Sequence, residues 1–232
     1  NVWRRWMIAH NLPRPGGRAV PTHYGGCAGE LRPRASEEIV QFDGGLGEGI
    51  GIDYWFIDAG WYTHPDGWWN VGTWEIDRER FPRGLREVAD HVHANQSRLV
   101  VWFEPERVVD GSWLAQNHPE WILRSGGARL VNLGDREAWK WVVERIDGIL
   151  TREGIDVYRQ DFNMAPLDCW RAADAPDRQG ITEIRHVGGY LAFWDELLRR
   201  HPDLLIDTCA SGGRRNDLET LRRSVPLLRS DY

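Results

Sequence analysis

The chain has 232 residues, 41% of them hydrophobic and 28% charged, the balance of a globular protein. A formal net charge of −6 with scattered arginines excludes a nucleic-acid-binding surface, and no apolar stretch approaches the ~20 residues of a membrane span. The three cysteines (Cys27, Cys169 and Cys209) form no CxxC pair, so neither a disulfide framework nor a zinc site is indicated.

Residues 1–19 are rich in Arg, Pro and Gly and read as a lead-in linker; residues 20–232 read as one α/β unit. A short strand is expected at 20–24, broken by Gly25-Gly26-Cys27, and Ser36 is placed to cap a helix beginning at Glu37. A strand at 52–57 leads into a long aromatic loop, 60–74. Pro82-Arg83-Gly84 then opens a helix to about 95, with Leu85, Val88 and Val92 at helical spacing. The next strand is 98–103. Trp139, Val142, Val143, Ile146, Ile149 and Leu150 give the apolar face of a helix over 136–151. A strand at 155–160 is followed by an Asp- and Pro-rich loop, 164–180, and a helix over 182–200. Strands at 204–208 and 225–229 flank a short helix over 217–223.

Strands alternating with helices six times predict a parallel sheet with right-handed crossovers. The fold class is α/β, a (β/α)8 TIM barrel truncated after about six strands, because only six of the eight βα strands are accounted for. Beginning without Met and stopping just after a strand, the chain reads as an internal piece of a longer protein. An open doubly wound sheet is the alternative, but no GxGxxG follows the first strand and no P-loop occurs.

Four apolar runs deliver an acid at their C-terminal ends: Asp58, Glu104, Asp161 and Asp231. Such acids mark the catalytic face of a barrel. Breaking a glycosidic bond needs two carboxyl groups flanking the anomeric carbon, and Asp161 and Asp231 after the fourth and sixth strands meet that demand. Arg159 lies two residues before Asp161 on an alternating strand, where it can hold the carboxylate ionised. Burial beside Asp161 would raise the pKa of Asp231, as a proton donor requires. Fourteen tryptophans, with Trp61, Trp68, Trp69, Trp102 and Trp170 after strands, suit stacking on sugar rings or simply fill a core. Glu104 and Glu106 either substitute as acids or hold Arg and tryptophan N–H groups. His91 and His93 cannot share a helix face and no HExxH occurs, which argues against a metal hydrolase. Cys209 has no sequence-adjacent base, and Ser211 lacks the GxSxG elbow.

Phe56-Ile57-Asp58-Ala59-Gly60-Trp61, Trp102-Phe103-Glu104-Pro105-Glu106, Gln160-Asp161-Phe162-Asn163 and Cys209-Ala210-Ser211-Gly212-Gly213, with Arg215 and Asp217, closely resemble the catalytic barrel of melibiase-type α-galactosidases, glycoside hydrolase family 36. The resemblance covers nearly the whole chain. It implies Asp161 as nucleophile and Asp231 as acid/base in a retaining, metal- and cofactor-free mechanism that releases terminal α-galactose from an oligosaccharide or glycoconjugate. It further implies Asp58 on the sugar's distal hydroxyls, Trp61, Trp102 and Arg159 in the substrate pocket, and Cys209, Gly212 and Gly213 lining it near the 2-position. Flanking β-domains are implied, and a homo-oligomer of the longer protein is compatible with it. Three positions depart from the family pattern: Ala59 replaces an Asp, Arg159 a Lys, and Tyr232 an Asn or Asp. These leave α-N-acetylgalactosaminidase action, raffinose-synthase-like galactosyl transfer and a catalytically inactive sugar-binding barrel as alternatives.

Overall fold

The structure is a computed structural model and is described for residues 1–18, 20, 33–49, 51–63 and 70–227. Helix α1 (Val2–His10) is capped by the Asn1 side chain and buries none of its residues. Helix α2 (Ala35–Gly47) begins one residue before Ser36, with Arg34 at the cap position and no side-chain cap. A tertiary contact sets that start: Ala35 N–H donates to the Arg80 carbonyl at 3.1 Å. The buried Glu38 of α2 accepts the Trp55 indole N–H at 2.7 Å, which fixes α2 on strand β1 (Tyr54–Ile57).

Helix α3 (Arg86–Ala94) starts four residues after Pro82. Residues 82–85 instead form a turn with Gly84 at φ +80°, and Glu153 supplies the acceptor for the Arg86 N–H at 3.1 Å. Strand β2 (Arg98–Phe103) matches its expected span. Helix α4 (Trp113–Asn117) and a hairpin of β3 (Ile122–Ser125) and β4 (Ala128–Val131) follow, none of them expected from the sequence. Helix α5 (Arg136–Glu153) is capped by Asp135, which accepts from Glu137 and Ala138 N–H. It ends at Gly154 in the left-handed conformation glycine favours.

Strand β5 (Val157–Gln160) leads into a region where the sequence suggested only loop, yet α6 (Leu167–Ala173) forms there. Cys169 and Trp170 of α6 are buried with Phe162 and Leu130, so tertiary contact supplies what a short helix lacks in length. Helix α7 (Ile181–Arg200) buries His186, Tyr190, Phe193, Trp194 and Leu197, spaced for one face. Strand β6 (Leu205–Thr208) and a short α8 (Leu218–Leu221) complete the described elements.

The four long-range strands pair in the order β1-β2-β5-β6, all parallel. Chain order equals spatial order, without the reversal that marks a doubly wound sheet. The sheet is therefore an arc of a (β/α)8 barrel. Of the expected first strand only Val20 is described, and it belongs to no element. Of the expected sixth, Val225 makes one parallel bridge to Asp207, and residues 228–229 lie outside the described residues. Among the described residues no helix is long and apolar enough to cross a membrane.

Candidate active site

The C-terminal ends of the four strands form one rim that carries Asp58, Glu104, Asp161 and Cys209 in turn. The ladder continues one residue past the strands: Asp161 N–H donates to the Phe103 carbonyl and Cys209 N–H to the Gln160 carbonyl, both at 2.8 Å. This fixes the Asp161 backbone before its side chain is considered.

Four donors converge on the Asp161 carboxylate. Oδ1 accepts Phe162 N–H at 2.7 Å and Ser211 N–H at 3.2 Å. Oδ2 accepts Asn163 Nδ2 at 2.8 Å and Trp102 Nε1 at 3.1 Å. Burial pushes the carboxyl pKa up, but the donors outweigh it and hold it below the usual carboxylate range. Ser211 presents its amide by adopting φ +46°, a strained left-handed conformation for a side-chain-bearing residue. Its hydroxyl donates to Asn163 Oδ1 at 2.7 Å, and Arg214 braces it through Ser211 Oγ and the Phe162 carbonyl, both at 3.0 Å. Asn163 was quoted in the sequence motifs without a role, and Ser211 was weighed only as a nucleophile. The signal for Asn163 was available, since two residues along an extended segment return to the same side.

Asp58 is different. Its Oδ1 accepts the adjacent Ala59 N–H at 2.7 Å, and its Oδ2 has no protein donor among the described residues. Burial raises its pKa, with Arg159 pulling down and Asp161 pushing up. An open carboxylate oxygen at the rim suits a hydroxyl-bearing ligand. Cys209 is buried, and burial together with Asp161 pushes its thiol up to about 12, so it stays protonated. Gly212 takes φ +83° in the turn that delivers Ser211, and its carbonyl accepts Ala210 N–H at 2.9 Å. Gly213 is exposed beside it and bridges to Ala210.

Two expectations are corrected. Arg159 does not hold Asp161 directly; the β5–β6 register places it opposite Asp207, and Arg159 Nη1 donates to Asp207 Oδ2. Trp61 offers no face to a ligand, being fully buried with its Nε1 donating to the Trp102 carbonyl at 2.8 Å and its ring against Phe103. Trp102 does reach the site, through Asp161. Trp170 belongs to the buried cluster under α6. Asp231, Trp68 and Trp69 lie outside the described residues.

Glu104 and Glu106 are both fully buried and hold other residues in place. Glu104 takes Arg107 Nη2 at 2.6 Å and the Asn163 N–H, linking β2 to the Asp161 loop. Glu106 accepts Gln160 Nε2 at 2.8 Å, His186 Nε2 at 2.8 Å and both terminal nitrogens of Arg215. The Arg215 guanidinium also lies 4.0 Å from the Phe162 ring centroid and 4.4 Å from that of Tyr190. The residues on either side of Asp161 are thus clamped by one buried ion pair.

Although burial pushes Glu106 upward, Arg215 and His186 hold its carboxyl down at about 2. The folded state therefore gains from this group above about pH 4.5, its unperturbed value, and loses that gain as pH falls toward 2. Glu106→Gln is expected to lower stability at pH 7 by roughly 3 kcal/mol. It should also flatten the fall in melting temperature between pH 5 and 3; an unchanged acid slope would count against the assignment.

Among the described residues no three His, Cys, Asp or Glu side chains are grouped to hold a metal ion. The melibiase family model matches residues 37–231. The chain is 30% identical over 178 residues to α-galactosidase Mel36A of Lactobacillus acidophilus, covering 73% of this chain and 24% of that protein. It is 30% identical over 195 residues to an α-galactosidase of Escherichia coli, covering 78% and 26%. Among solved structures, a variant of the family 36 α-galactosidase AgaA of Geobacillus stearothermophilus, in complex with stachyose, superposes with a TM-score of 0.74 at 25% identity. That match covers 84% of this chain and 28% of AgaA. The chain thus spans about a quarter of the length of the curated relatives it matches. Four parallel strands, three of them ending in a carboxylate at one rim, with a family match that runs over most of the sequence, place it: the chain belongs to the melibiase family, glycoside hydrolase family 36.

Proposed function

We propose that this chain carries the catalytic barrel face of a retaining α-galactosidase, with Asp161 as nucleophile and Asp231 as acid/base. The observation that carries the reading is the Asp161 carboxylate, buried yet ionised by four donors and presented at the rim beside the open acceptor Asp58. In the first step Asp161 attacks the anomeric carbon from the β-face, the bond to the leaving oxygen breaks, and Asp231 gives that oxygen its proton. In the second, Asp231 takes a proton from water, which attacks the same carbon and releases Asp161 as a carboxylate. Asp58 receives the sugar's hydroxyls. Stachyose and raffinose in complexes of variants of one related enzyme, AgaA, support an α-galactoside substrate.

The test is to assay the complete gene product against nitrophenyl α- and β-glycosides. Turnover confined to α-galactoside, with α-galactose as the first product by proton NMR, supports the reading. Preference for the α-N-acetylgalactosaminide would replace galactose as the sugar, and β-galactose as the first product would exclude double displacement.

Trp102→Phe removes one donor from the ionised form of Asp161 and leaves the aromatic volume largely in place. Losing a charge-assisted hydrogen bond raises the carboxyl pKa, so the acid limb of kcat/KM is expected to move up by about one pH unit. An acid limb at its wild-type position would show that Trp102 does not tune Asp161.

A further inference from the structure

We propose that Asp207 is a positioning residue that parks the Arg159 guanidinium away from the nucleophile and so keeps both Asp161 and Asp58 available to the sugar. The proposal rests on reading this rim as a galactoside pocket. Asp207 is fully buried in the middle of β6, directly opposite Arg159 in the parallel register, so the two side chains share a face. One carboxylate oxygen takes Arg159 Nη1; the other accepts the Leu227 N–H at 2.9 Å. Val225 pairs with the same residue through the backbone. Asp207 thereby joins the strand that bears Asp161 to the segment that, four residues past Leu227, carries Asp231.

A buried ion pair by itself is an ordinary structural feature. The surroundings give this one a further consequence. Arg159 acts electrostatically on Asp58 and on Cys209, and Asp161 acts on Asp207, so among the described residues Arg159 lies in a group that includes the carboxylates of Asp58, Asp161 and Asp207. The guanidinium also rests 5.3 Å from the ring centroid of Phe56, on the strand that ends in Asp58. Without Asp207 the long, flexible Arg159 side chain has two other carboxylates to turn to. Pairing with Asp161 would blunt the nucleophile, and pairing with Asp58 would occupy the oxygen left open for hydroxyls.

Asparagine at 207 keeps an acceptor for the Leu227 N–H but turns its NH2 donor toward Arg159 Nη1, so the charge and the hydrogen bond to Arg159 are lost together. With nitrophenyl α-galactoside and the complete gene product, Asp207→Asn is expected to lower kcat/KM about a hundredfold, the scale of a misplaced active-site group. Asp207→Glu, which retains the charge, should recover most of that loss. Because Asp207 acts through Arg159, the double variant Arg159→Gln/Asp207→Asn should be no slower than Arg159→Gln alone. The double variant removes both members of the ion pair together, so it keeps the proposal testable, alongside the Asp207→Glu recovery, even if Asp207→Asn fails to fold. A double variant tenfold or more slower than Arg159→Gln, or an Asp207→Asn enzyme as active as wild type, overturns the proposal alone. A wild-type enzyme silent on every α-galactoside overturns the reading of the site and this proposal with it.

Discussion

Asp161→Ala is expected to abolish turnover on every galactoside, lowering kcat by about 10⁴-fold or more, as removal of a covalent nucleophile does elsewhere. Glu104, Glu106 and Cys209 are not placed to take over. Glu104 and Glu106 are fully buried and engaged with Arg107 and Arg215, and the Cys209 thiol is held protonated. Alanine leaves four donors facing a space that azide can enter. Attack by azide from that β-face is a single displacement, so the rescued product should be the β-galactosyl azide. Asparagine at the same position should behave worse in one respect. Its NH2 group would meet two N–H donors whichever way the amide is turned, because each carboxylate oxygen accepts two. Asp161→Asn is therefore expected to melt below Asp161→Ala, by about the 1–3 kcal/mol of an unsatisfied buried donor. Measurable wild-type turnover by either variant, or an α-configured azide product from Asp161→Ala, would remove Asp161 from the nucleophile's role.

The parts of this architecture that local pattern determines were legible in the sequence. Strand β2 is a continuous apolar run because both its faces are covered, and helix α5 carries its own cap, stripe and terminal glycine. The same grammar placed Asp58, Glu104 and Asp161 at the strand ends. What escaped was set by partners far away in the chain. Ser36 has the chemistry of a cap, but the Arg80 carbonyl starts the helix at Ala35 instead. Helix α6 stands in a stretch of Asp and Pro because Trp170 and Cys169 are covered by Phe162 and Leu130. The Glu106–Arg215 clamp joins residues 109 positions apart, and no spacing rule reaches that far. Arg159 shows the limit most directly. Alternation told which side of the strand it faces, whereas its partner depended on the β5–β6 register, which pairs it with Asp207 across the sheet.

Asp231→Ala is the variant whose behaviour should depend most on the substrate. An unactivated leaving group, such as the glucose oxygen of raffinose, needs a proton as the glycosidic bond breaks, and general-acid catalysis contributes about 10²–10⁴-fold to such steps. Turnover of raffinose is expected to fall by that factor. A dinitrophenolate leaves without a proton, so the first step on dinitrophenyl α-galactoside should proceed at close to the wild-type rate. Hydrolysis of the galactosyl-enzyme then lacks its general base, and the product is released as a burst followed by a slow steady state. Azide needs no base and attacks the β-linked intermediate from the α-face. Two successive inversions return the α-configuration, so the rescued product should be α-galactosyl azide, opposite in configuration to that from Asp161→Ala. The two products separate the two roles independently of any rate. If Asp231→Ala yields the β-azide, or hydrolyses raffinose at the wild-type rate, the proton donor is another group.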